Sequence, residues 1–174
     1  MASNDVLVVR PGEGQQVSVG DLGMEFMVRM DDTPSQVALH EWTLPPRGLG
    51  APPHIHRSED EVFYVLEGDL TVMEDDAITS ARPGDYVVLP RGRLHTFWNA
   101  GDTPARMLVV LTPGQLEAYF VAANALIASG NGADPAQVIG LAEQYGLELR
   151  MDLLPVLMAE HGLETGLPMP PEQG

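Results

Sequence analysis

The chain contains no cysteine and no lysine, so all nine of its basic residues are arginines. Without cysteine, disulfides, thiol nucleophiles and sulfur-ligated metals are excluded, and a metal ion would have to be held through nitrogen and oxygen. Without lysine, Schiff-base chemistry and a lysine general base are excluded too. Positive charge is scarce altogether: 9 basic residues stand against 25 acidic ones, for a formal net charge of −16. That balance repels nucleic-acid backbones and anionic membrane surfaces alike. No apolar run approaches the roughly 20 residues that a membrane helix requires. The segment Met1 to Asp5 also lacks the basic start and apolar run of a secretory signal. These absences point to a cytoplasmic protein with no nucleic-acid or membrane partner.

What is present is enough for a hydrophobic core: 174 residues, 44% of them apolar, the size of one domain with an appendage. From about Val6 to Leu111 short β-type runs alternate with turn residues, the pattern of an all-β sandwich or barrel. The clearest runs are Val37 to Leu44, Val62 to Leu66, Leu70 to Glu74, Tyr86 to Leu89 and Met107 to Leu111. Val62 to Leu66 is continuously apolar, which predicts a strand covered on both faces, one face lining the barrel and the other meeting a partner. A homodimer through that outer face is expected.

At Thr112 the pattern changes. Thr112, Pro113 and Gln115 read as a capping box with proline at the first helical position, and Leu116, Phe120, Ala123 and Ile127 follow at helical spacing. A helix is predicted over about 113–128. A turn at Gly130 to Ala133 follows, and Asp134 and Pro135 open a second helix stopped by Gly146. A shorter helix is predicted near Leu153 to His161, and the Pro- and Gly-rich residues from Gly162 read as extended or disordered. The division is a barrel over 1–112 and a helical extension packed on it over 113–174.

Two clusters carry the chemistry. In the first, Gly48 is followed after five intervening residues by His54, then by Ile55 and His56, after four more by Glu61, and after six more by Gly68. Side-chain direction in a strand repeats every two residues, so His54 and His56 face the same side and can reach one ion. Glu59 and Asp60 compete with Glu61 on chemistry alone and otherwise read as a solvated turn; spacing favours Glu61, which also opens the apolar strand with Phe63 and Val65 on its own face. In the second cluster Gly84 precedes Pro90, Gly92, His95 and Asn99, and the hairpin that Pro90 and Gly92 suit would carry His95 towards the first cluster. His40 reads as core or surface, and His161 as solvated.

These two segments resemble the paired signature motifs of the cupin superfamily, with all ten motif positions filled at the family's spacings. The resemblance covers about residues 35–112. It implies a double-stranded β-helix, or jelly-roll, barrel with a C-terminal α-helical extension, and a divalent transition-metal ion held by His54, His56, Glu61 and His95. Three imidazoles and a carboxylate accept iron, manganese, cobalt, nickel, copper or zinc, and four protein ligands leave positions open for water, dioxygen or substrate.

Among single-barrel cupins the chain looks most like the quercetin dioxygenase-like group. That likeness implies a metal-dependent dioxygenase that cleaves a hydroxylated aromatic or enolic small molecule, with Glu61 accepting the substrate's hydroxyl proton. A metal-dependent isomerase, decarboxylase or cyclase, and a non-catalytic small-molecule-binding cupin, are the alternatives. Trp42, Phe63, Phe97 and Met107 are the expected pocket wall. Phe63 and Phe97 each stand two residues beyond a proposed ligand and so share its face.

Overall fold

The structure is a computed structural model and describes residues 6–128, 134–167 and 169. The expected turn at 130–133 lies outside these residues, as do 1–5 and most of the final tail.

Ten strands come first: β1 (Gln15–Val19), β2 (Leu22–Val28), β3 (Ala38–Leu44), β4 (Leu49–His56), β5 (Asp60–Glu67), β6 (Leu70–Glu74), β7 (Ala77–Ala81), β8 (Tyr86–Leu89), β9 (His95–Asn99) and β10 (Ala105–Thr112). They are followed by α1 (Leu116–Ala128), α2 (Pro135–Gln144), β11 (Leu147–Leu149) and α3 (Leu154–His161). One sheet has the order β1-β2-β3-β10-β5-β8 and the other β11-β4-β9-β6-β7, with antiparallel pairing throughout. The two sheets face each other as a jelly roll, the architecture that the resemblance to cupins implies within the sandwich or barrel expected from the strand pattern. None of the described helices is long and apolar enough to cross a membrane.

The core lies between the sheets because inward residues alternate with outward ones. In β10 Ala105, Met107, Val109 and Leu111 are buried, while Arg106, Leu108, Val110 and Thr112 are only half-buried. β5 alternates in the same way. Glu61, Phe63 and Val65 point inward, and Val62, Tyr64 and Leu66, expected to be covered, form a half-exposed outer face. At the centre the Trp42 ring lies 5.8 Å from Phe63 and 5.8 Å from Phe97, and those two are 5.0 Å apart. Gly68 makes the β5–β6 turn at φ +79°, and its bare Cα admits Ala105, which a Cβ there would meet at 2.7 Å.

The C-terminal segment starts later than its pattern suggests: α1 begins at Leu116, three residues after Pro113. Gly114 is buried against Ala38, its N–H donating to the Gln36 carbonyl (2.7 Å), so the 113–115 stretch serves as a tertiary joint before the helix begins. α2 follows its signals closely. The Asp134 carboxylate accepts from the Ala136 N–H (3.0 Å), Gln137 reaches back to the Asp134 N–H (3.2 Å), and Gly146 at φ +79° ends the turn after the helix.

Two features of this segment carry no clear sequence signal. β11 adds a strand beside β4, pairing Leu147 with His56 and Leu149 with His54. The chain after α3 is docked as far as Leu167: Glu164 exchanges hydrogen bonds with Arg47 and Leu49 (both 3.0 Å). His161, expected to be solvated, is half-buried with its ring 4.7 Å from Trp98, beside Leu154, Leu157 and Leu163 on the outside of β4 and β9.

Candidate metal centre

β4 and β9 are neighbours in one sheet, and their register places His54 opposite His95. β5 belongs to the other sheet and brings Glu61 in at its first inward position. Three imidazoles from one wall therefore converge with a carboxylate from the other. His54, His56, Glu61 and His95 are all buried, and one ligand atom from each lies within 4.8 Å of all the others.

A clamp outside the cavity ties together the turns that lead into two of the ligands. The Arg91 guanidinium and backbone N–H bind the Asp60 carboxylate at 2.5, 3.0 and 2.9 Å, joining the turn before Glu61 to the turn before His95. Hydrogen bonding to Arg91 holds the Asp60 carboxyl down at about 2. The same turns are tied at the backbone, where the Gly92 N–H donates to the His56 carbonyl (2.8 Å).

The donor set fits a metal ion. His54 Nε2 lies 2.9 Å from His56 Nε2, His56 Nε2 lies 3.5 Å from Glu61 Oε1, and His95 Nε2 lies 3.6 Å from Glu61 Oε2. Metal–ligand bonds of about 2.0–2.2 Å put adjacent donors about 3.0–3.4 Å apart, close to these separations. His95 Nε2 and Glu61 Oε2 are buried without any hydrogen-bond partner, although buried polar atoms are normally paired. The His54 Nδ1–H donates to the Pro52 carbonyl (2.8 Å) and the His95 Nδ1–H to the Arg93 carbonyl (3.1 Å), which leaves both Nε2 lone pairs facing the cluster.

Charge states agree with that role. Burial, reinforced by His95 and His56, pushes the His54 pKa well below the usual imidazole value, so the ring is neutral at pH 7, the form that ligates a metal. For Glu61 burial acts upward, but the electrostatic attraction of the neighbouring His56 and His95 prevails, and its pKa lies below the ordinary carboxylate value.

Inward of the cluster opens a cavity of about 50 Å³. Its barrel wall includes Trp42, Phe97, Gly50 and Ala51, and the outer wall is built by the C-terminal segment: Tyr119 and Phe120 of α1, Val138 of α2, Leu147 and Leu149 of β11. A Cβ at Gly50 would collide with the Phe97 ring, so glycine there is what lets Phe97 line the cavity. Of the expected pocket residues, Trp42 and Phe97 line it. Phe63 and Met107 are fully buried in the core and do not.

Comparison with known proteins follows the same lines. The family model for the cupin domain matches residues 40–111. The barrel is a cupin domain. The chain is 28% identical to a quercetin 2,3-dioxygenase from Bacillus subtilis over 113 residues, covering 65% of this chain and 33% of that protein. It is 36% identical to a germin-like protein from Brassica napus over 92 residues, covering 48% of this chain and 44% of that one. The chain thus spans a third to just under a half of the length of these relatives. Among solved structures, a sugar phosphate isomerase of the cupin superfamily from Silicibacter pomeroyi superposes with a TM-score of 0.54 at 24% identity, over 61% of this chain and 75% of that one. The likeness to that structure is one of cupin fold.

Two residues of this cupin site were misjudged or passed over by the sequence pattern. Glu59, read as part of a solvated turn, is buried beside His56. Tyr119, unremarked, lines the cavity with its hydroxyl pKa pushed up to about 12 by burial. No spacing rule flags Glu59, whereas Tyr119 adjoins the helical stripe containing Phe120.

Proposed function

We propose that this cupin is a metal-dependent dioxygenase that cleaves a neutral hydroxylated aromatic or enolic molecule, with His54, His56, Glu61 and His95 as the metal ligands. The observation that carries this reading is the wall of the cavity. Beyond the ligands, its described lining is aromatic or apolar and includes no arginine. An anionic substrate such as a dicarboxylate or a sugar phosphate needs fixed cationic partners when it leaves water, and apart from an ion at the cluster the described lining offers none. A flat phenol or enol suits Trp42, Phe97, Phe120 and Leu149. The similarity to a quercetin 2,3-dioxygenase favours the same class.

A bound divalent ion would supply a Lewis-acid centre with open coordination positions for substrate and dioxygen. The protein supplies the rest. The Glu61 carboxylate, ionised and with Oε2 unpartnered, takes the hydroxyl proton of the substrate. Tyr119 keeps its proton across the neutral range and offers a hydrogen bond from the outer wall, the C-terminal segment that forms a lid over the cavity. The apolar walls exclude water from the reacting ring.

The test is oxygen uptake with quercetin after separate reconstitution with iron, manganese, cobalt, nickel, copper and zinc, run beside oxalate. Uptake with the flavonol alone supports the reading. Turnover without oxygen would move the protein to the isomerase, decarboxylase or cyclase class, and saturable quercetin binding without turnover would make it a binding protein.

We further propose that the protein is a homodimer. The outer face of β5 and β8 carries Val62 and Tyr64 beside Tyr86 and Val88, the last two 72% and 65% exposed, with the two tyrosine rings 4.6 Å apart. An apolar face of this kind is a natural meeting surface for a second copy.

A further inference from the structure

Among the described residues, Glu59 is the one buried carboxylate near the cluster that the ligand set does not use. It is 1% exposed, its Oε2 has no hydrogen-bond partner, and it faces His56 Nδ1 across 3.8 Å, an atom that also has no partner. A buried carboxylate in that condition is costly, so its persistence calls for a use.

The two other imidazoles indicate what that use is. Each turns its Nδ1–H onto a carbonyl of its own chain two residues back, Pro52 for His54 and Arg93 for His95. For His56 the residue two back is His54, and no carbonyl accepts from its Nδ1; the side chain of Glu59, three residues on, stands there instead. The turn at 57–60 is held in place from both sides. The Arg57 N–H donates to the Gly146 carbonyl (3.0 Å), and Asp60 is clamped by Arg91.

Resting on the reading of the cluster as a metal site, we infer that Glu59 is a positioning residue for His56. With the ion bound, its carboxylate closes the 3.8 Å gap to accept the His56 Nδ1–H, fixes the tautomer with a bare Nε2, and holds that nitrogen towards the ion. His54 and His95 are then oriented by backbone carbonyls and His56 alone by a side-chain carboxylate.

The experiment uses zinc, which is diamagnetic and accepts this donor set. The full-length protein, E59Q, E59L and H56A are each titrated with Zn²⁺ against a competing chelator, and ¹⁵N spectra of the imidazoles are recorded in the zinc-loaded forms. E59L, close in shape and uncharged, is expected to fold and to bind zinc about 10- to 100-fold more weakly. It should also lose the protected Nδ1–H signal of His56 while those of His54 and His95 persist. E59Q, whose amide oxygen still accepts, is expected to keep that signal and recover much of the affinity. Zinc affinity within twofold of the parent in E59L, with the His56 signal unchanged, overturns the proposal. Unchanged affinity in H56A would instead overturn the metal-site reading itself.

Discussion

The His40 Nε2–H donates to the Glu117 carboxylate across 3.1 Å, and this buried pair bolts α1 to the barrel. His40 is fully buried, stacked on Phe26 at 4.0 Å, and accepts on Nδ1 from the Trp42 indole at 3.4 Å. Glu117 also accepts from the Met30 N–H (3.2 Å) and lies 3.6 Å from Arg29. One line of contacts thus runs from the lid helix to the cavity wall. Replacing Glu117 by alanine strands a buried imidazole and a backbone N–H, and a loss of about 3–5 kcal/mol is expected. That corresponds to a fall in Tm of roughly 6–20 °C. A calorimetric shift below 2 °C would show that the pair contributes little.

Metal loading should follow the ligand set. H54A and H95A are expected to lose most of their metal on purification, and H161A, packed on Trp98 away from the cluster, should retain it. Elemental analysis of the three decides; equal occupancy in all would refute the assignment.

The Asp60–Arg91 clamp predicts a pH dependence. The folded-state pKa of Asp60 is depressed to about 2, so its contribution to stability is complete above the unfolded value near 4 and disappears as the pH falls through about 2. The acid limb of stability against pH should therefore be shallower in D60N than in the parent between about pH 4 and 2. Parallel curves would show that the clamp is not a stabilising contact.

Cavity size predicts motion. A space of about 50 Å³ is far below the roughly 300–1,000 Å³ of ligand pockets, so a flavonol requires the lid to swing outward. Hydrogen exchange at 116–120 and 147–149 should be slowed by a bound flavonol more than exchange in β9. Equal protection with and without ligand would argue against admission by this route.

Light scattering checks the dimer: the 18.8 kDa chain should run at twice that mass, and Y86D should shift it to monomer. A parent protein already monomeric at micromolar concentration disposes of the proposal.

Much of this architecture was legible in the sequence because it rests on local rules. Tyr86–Leu89 and Leu70–Glu74 announce themselves by composition and flanking turns, and His54 and His56 by the two-residue repeat of a strand. Asp134, Pro135 and Gly146 mark α2 by capping chemistry that acts within a few residues. The features that escaped depend on distant partners. Glu59 looks solvated until the clamp at Asp60 and the docking of Gly146 on Arg57 fold its turn inward. β11, three residues long, exists because β4 offers an edge to pair with. Phe63 and Met107 have the composition of a pocket wall, but both are packed wholly within the core, and the cavity is lined by Trp42 and Phe97 instead.

The pairing of β11 with β4 has a consequence for biosynthesis. Leu147 and Leu149 hydrogen-bond alongside the very residues, His56 and His54, that supply two of the imidazoles. Until residues 147–149 have left the ribosome, the strand bearing those histidines is a bare sheet edge, open to pairing with any other nascent chain. A segment translated well after β4 therefore closes the edge of the strand that carries two of the imidazoles.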